Sequence, residues 1–89
     1  MIPKYRLPVH PGEVLLEEFI IPRKISQMEL ARRIKVPIQR VNTLINGKRD
    51  MSPETAILLA MFFKTSPEFW MNLQTQRDLA IAQHRLALN

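Results

Sequence analysis

The sequence predicts an all-α fold of five helices. Three observations carry that expectation: apolar residues recur at three- and four-residue spacing, no segment alternates with the two-residue period of a half-buried strand, and serine or proline punctuation opens the periodic stretches. After an extended start containing Pro3 and Pro8, "HPGEVLLEEFI" puts Pro11 in a first helical turn, where its missing N–H costs nothing, and Glu13 near the positive helix end. Leu15, Leu16, Phe19 and Ile20 share one face of this helix, which is expected to end at Pro22.

The second helix opens at "SQME", residues 26 to 29, a capping-box sequence in which Ser26 accepts from the first-turn N–H groups and Glu29 reaches back. It turns Leu30, Ala31 and Ile34 inward. The third begins near Pro37, with Ile38, Val41, Leu44 and Ile45 as its apolar stripe, and stops at Asn46-Gly47 because glycine enters the left-handed conformation cheaply. "SPET" at 52 to 55 opens the fourth with Ser52 as cap and Pro53 at the first position, and from Ala56 to Phe63 it is apolar all round, the pattern of a helix buried on most sides. "SPEF" at 66 to 69 repeats the device for a fifth helix reaching about Leu86.

Eighty-nine residues make one domain, residues 1 to 89, near the lower size at which a hydrophobic core suffices unaided. There is no cysteine, so disulfides and thiolate metal sites are excluded. No apolar run is long enough to cross a bilayer and no secretory leader is visible, so no membrane partner and a cytoplasmic location are expected. The net charge is +5, but its distribution says more: residues 23 to 49 hold Arg23, Lys24, Arg32, Arg33, Lys35, Arg40, Lys48 and Arg49 against the single acid Glu29. The basic character is a patch, the electrostatic footprint of a polyanion partner.

That patch coincides with a pair of short helices, about residues 26 to 46, separated by the spacing of a helix-turn-helix. In such a motif the second helix enters the DNA major groove N-terminal end first, while the preceding helix lies across the backbone. The residue types on the polar side of helix three suit the task. Gln39 can pair bidentately with adenine, Arg40 with guanine, and the Thr43 methyl can touch thymine; Asn42 and Asn46 complete the face. Gln27, Arg23, Lys48 and Arg49 are placed for phosphates, which fix register and supply salt-dependent affinity. A polar helix face is usually only solvated. Amides in place of glutamates, flanked by cations on both sides, are poor choices for solubility and good ones for base edges.

Catalysis would require a nucleophile with a base, or paired carboxylates in a cleft. Glu13, Glu17 and Glu18 are better explained as a solvated face of helix one, and no glycine-rich phosphate loop exists, so the chain is not expected to be an enzyme and no cofactor is implied. His10 and His84 stand alone in sequence, which favours burial or capping over metal binding. Helix five, about residues 67 to 87, carries two apolar stripes, Phe69, Trp70, Leu73, Ala80 and Ile81 on one side and Met71, Leu79, Ala82 and Leu86 nearly opposite. One can close the core; the other predicts a homodimer.

"SQMELARRIKVPIQRVNTLINGKR" resembles the helix-turn-helix of the phage-repressor-like (Xre) regulators. The flanking "HPGEVLLEEFI" and "MSPETAILLAMFFKTSPEFWMNLQTQRDLA" are similar to a narrower group, the HigA-type antitoxins, also called VapI or plasmid-maintenance antidote proteins. The resemblance covers about residues 10 to 82 and implies a compact phage-repressor-like (lambda-repressor-like) fold. It further implies a homodimer that binds double-stranded operator DNA at its own promoter and a complex with a HigB-type, ribosome-dependent mRNA endonuclease toxin. By position, Pro37, Ile38, Gln39, Arg40, Asn42 and Thr43 are the implied DNA readers, with Gln27 and Lys48 near the backbone. If a toxin binds, the acidic helix one with residues 1 to 10 is the expected contact. The alternative is a stand-alone repressor using the same helix pair.

Two departures accompany the resemblance. The family commonly has glycine where this chain has Lys35 and Lys64, and a left-handed residue at either place costs on the order of 1 kcal/mol. Lys35 could offset part of that beside a phosphate. Pro37 replaces the usual Ser or Thr cap, leaving helix three without a side-chain acceptor but with a preset first turn.

Overall fold

The computed structural model describes residues 7–86. Among these the chain is all-helical, with five helices and no strand. The first, α1, spans residues 11–23 without a break: an α-helical turn at Pro11–Val14, a π-helical stretch at Leu15–Ile20 and a closing turn at Ile21–Arg23. The others are α2 at Gln27–Ile34, α3 at Ile38–Ile45, α4 at Pro53–Phe63 and α5 at Pro67–Arg85. No helix among the described residues is long and apolar enough to cross a membrane. The extended start around Pro3, and the toxin contact expected of residues 1–6, lie outside the described residues.

Pro22 does not end α1, as its sequence position suggests, but falls inside the last turn. In an α-helix its ring would meet the carbonyl four residues back. The π-helical stretch, in which the Ile21 N–H donates to the Leu16 carbonyl, widens the coil by one residue just before it. It also brings positions five apart onto one face, so Leu15 and Ile20 are both buried.

Each serine cap forms as its sequence predicts: Ser26, Ser52 and Ser66 accept from the backbone N–H groups of Glu29, Thr55 and Phe69. The reciprocal half of the first capping box is absent. The Glu29 carboxylate turns instead to Arg32 and Arg33 one turn on, and the Arg32 guanidinium holds it below the usual carboxylate range.

The helix ends are less ordinary. Lys24, Lys35 and Lys64 are all left-handed, at φ 56°, 63° and 61°, as is Gly47 at 74°. After each, the next N–H reaches a carbonyl five residues back: Ile25 to Ile20, Val36 to Ala31, Thr65 to Ala60 and Lys48 to Thr43. Those bonds close otherwise orphaned helix-end carbonyls, and a lysine there also complements the negative helix end.

Leu15, Leu30, Leu44, Leu59 and Trp70, one from each helix, lie within the core. Burying each contributes about 1.5–3 kcal/mol. Phe19 packs with tilted rings between Phe63 and Trp70, at centroid distances of 5.0 and 4.9 Å, and the Trp70 N–H donates to Thr65 Oγ1 at 2.9 Å. Helix α4 departs from the all-round burial its composition suggests. Its inner side holds Ala56, Leu59, Ala60 and Phe63, whereas Ile57 and Met61 are 48% and 73% exposed.

Candidate nucleic-acid interface

Helices α2 and α3 are joined by residues 35–37 and pack against each other, with α3 also against α1 and α2 against α4. Val41 and Leu44 anchor α3 in the core, so its opposite side must face outward. Its depth is set by a close approach. A Cβ built on Gly12, in the first turn of α1, would lie 1.8 Å from the Leu44 carbonyl oxygen, so only glycine lets the two helices meet.

The predicted DNA-facing residues then distribute as follows. Pro37, Ile38, Gln39, Asn42 and Asn46 are exposed along α3 and its ends, with Arg40 and Thr43 half-buried beside them. Pro37 caps the helix with an extended backbone and offers no side-chain acceptor, which leaves first-turn N–H groups available at the positive helix end. Gln27, at the start of α2, is brought to the same surface: the Asn42 amide donates to its Oε1 at 3.2 Å, and the Asn46 amide donates to Asn42 Oδ1 at 3.3 Å. Three amides thus run as a chain across both helices. Gln39 and Arg40 make no side-chain hydrogen bond within the described residues, which leaves their polar groups for a ligand.

Lys48 and Arg49 are exposed in the loop after α3, and Arg49 Nε donates to Thr43 Oγ1 at 3.2 Å. Lys35, exposed in the turn between α2 and α3, lines an open groove of about 310 Å³ with Arg33 and Ile34 of α2 and Leu58, Met61 and Phe62 of α4. Of the residues expected at a dimer contact, Leu79 and Leu86 are 59% and 63% exposed, Ala82 is half-buried, and Met71 packs partly on its own core.

Three residues that the sequence reading passed over hold the loop and the N-terminal segment in place. Gln74 is buried on α5; its Oε1 accepts from the Met51 N–H at 2.7 Å and its amide donates to Asp78 at 2.9 Å. Arg77, one turn on, donates to the Pro8 carbonyl at 2.7 Å. Asp78 completes the set. The available signal was an amide on the Trp70 side of the helix, where an apolar residue belongs. His10 caps α1, its Nδ1 accepting from the Gly12 N–H at 2.9 Å. Burial, and then the Arg77 cation, push its pKa below the ordinary histidine value, against weaker opposition from Asp50, Asp78 and the Arg49 backbone.

The family described as Helix-turn-helix (HTH_3) matches residues 16–70. Antitoxin HigA-1 of Vibrio cholerae serotype O1 is 40% identical over 80 residues, spanning 90% of this chain and 75% of that protein. Virulence-associated protein I of Dichelobacter nodosus is 35% identical over 75 residues, spanning 84% of this chain and 69% of that protein. Among solved structures, Pseudomonas aeruginosa antitoxin HigA with the higBA promoter superposes with a TM-score of 0.85 at 44% identity, covering 88% of this chain and 85% of that one.

Proposed function

The chain belongs to the helix-turn-helix family HTH_3 and within it to the HigA-type antitoxins, and from that premise we propose that it is a cytoplasmic homodimer that represses its own operon and neutralises a HigB-type mRNA endonuclease toxin by direct binding. It is a DNA-binding protein and not an enzyme. The observation that carries the operator reading is the outward side of α3, where Gln39 and Arg40, with no side-chain hydrogen bond among the described residues, accompany the Gln27–Asn42–Asn46 amide chain and the cations of the following loop. Base edges need donors and acceptors at fixed positions, and phosphates need charge on either side; this surface offers both.

In this reading Gln39→Ala or Arg40→Ala costs roughly 1–3 kcal/mol of operator affinity and relaxes specificity at one position, while Lys48→Ala weakens binding to all sequences. Fluorescence anisotropy on the duplex upstream of the gene checks both. Unchanged affinity in the Gln39 and Arg40 variants would mean that another surface faces the groove.

The toxin half of the proposal is tested by affinity capture of the tagged protein from nuclease-treated lysate. A small stoichiometric companion, whose expression alone arrests growth and whose co-expression with this chain does not, supports it. Recovery of the chain alone, with a neighbouring toxin gene expressed, favours a stand-alone repressor.

A further inference from the structure

Thr43 lies on the outer side of α3, where a threonine reads as a base contact through its methyl group. The structure commits its hydroxyl to a different task. Thr43 Oγ1 donates its one proton to the Gln39 carbonyl at 2.6 Å, with the Arg40 carbonyl at 3.4 Å, which turns its lone pairs away from the helix. There it accepts from Arg49 Nε at 3.2 Å. Arg49 is not part of α3: the left-handed Gly47 and the bond from the Lys48 N–H to the Thr43 carbonyl, 2.9 Å, fold the chain back along the last turn and bring the guanidinium to the hydroxyl.

Arg49 is exposed and makes no ion pair among the described residues. Using Nε for the hydroxyl leaves both Nη groups without a partner among the described residues, a flat fork that matches two oxygens of one phosphodiester. The position of the loop selects phosphate over base. A recognition helix enters the groove by its N-terminal end, so the chain leaving its C-terminal end meets the backbone, and Lys48 stands beside Arg49 there.

We propose that Thr43 is a positioning residue whose hydroxyl holds the Arg49 guanidinium ready for an operator phosphate, and that its methyl does not read thymine. The inference rests on the operator reading above. Holding a long side chain before DNA arrives lowers the ordering cost of the contact, so a neutral hydroxyl strengthens a purely electrostatic bond.

Thr43→Val keeps the shape and methyl and removes the hydroxyl; Thr43→Ser does the reverse. Both are measured with Arg49→Ala and the Thr43→Val/Arg49→Ala double variant, after circular dichroism establishes folding, on the gene's own upstream duplex and on a random duplex across a salt series. Arg49→Ala is expected to lower affinity about tenfold, the scale of one charged hydrogen-bonded contact, and to reduce the salt slope by about 0.9. Thr43→Val should reproduce most of that loss on both duplexes, Thr43→Ser should bind as the unmodified protein does, and the double variant should be no weaker than Arg49→Ala. Loss in the serine variant with retention in the valine variant overturns the proposal in favour of thymine reading. So do losses that multiply in the double variant, or a valine loss confined to the upstream duplex. If the unmodified protein does not prefer its upstream duplex, the operator reading fails separately, and the salt slopes on random duplex still decide whether Thr43 serves Arg49.

Discussion

Lys24, Lys35 and Lys64 end helices in a conformation that glycine adopts without strain. A side chain there costs about 1–2 kcal/mol, offset in part by the helix-end charge and by the smaller entropy loss of a non-glycine residue. Lys64 isolates the term, since comparing Lys64→Gly with Lys64→Ala removes the charge in both. Urea denaturation should find the glycine variant more stable by about 1 kcal/mol; equal midpoints would mean the residue is not left-handed in solution. His10 carries a different liability. Its folded pKa lies below the unfolded value, so the unfolded chain binds the proton more readily. The contribution is complete above the unfolded pKa of about 6.5 and is lost as pH falls from there through the lowered folded value. Protonation also turns Nδ1 from acceptor into donor and breaks the cap on Gly12. Thermal unfolding should therefore show a lower melting temperature on acidification across that window, and a His10→Asn variant, which can still cap, should have a shallower dependence.

At the scale of the helix, the contact between α1 and α3 decides how the recognition surface is presented. Gly12 has a helical conformation that any residue could adopt, and its requirement for glycine comes from the Leu44 carbonyl pressed against it. Backbone cannot yield as a flexible side chain would. Gly12→Ala should destabilise the protein by about 1–3 kcal/mol or more, and should weaken operator binding beyond the unfolded fraction because α3 is displaced. Chemical denaturation beside duplex binding at low temperature measures the two effects; a fully folded variant of normal affinity would contradict the packing described. The π-helical stretch of α1 belongs to the same scale. Pro22 signals an interruption in the sequence, and the structure places that interruption one turn earlier and keeps the helix running.

For the whole molecule, apolar surface left by the fold is where assembly should occur. Leu79 on α5 and Leu86 just after its end stand exposed, and a helix-turn-helix reads two half-sites when it is paired. In the proposed homodimer, Leu79→Glu is expected to shift sedimentation from dimer to monomer and to lose roughly tenfold or more in operator affinity as the two half-sites uncouple. A dimer that survives the substitution would move the contact off this part of α5. The sequence by itself determined where helices start, because serine caps and first-turn prolines act within three or four residues, and it determined which side of α3 is polar, because helical period needs no partner. It also located the basic patch. Only the folded structure decided that three lysines would be left-handed, since local preference names glycine for that conformation. It alone decided that Gln74 and Arg77 would secure Met51 and Pro8, partners 23 and 69 residues away in the chain. Nor could local pattern tell that α4 would bury one side and expose Ile57 and Met61, because an all-apolar helix has no period from which to read its inner face.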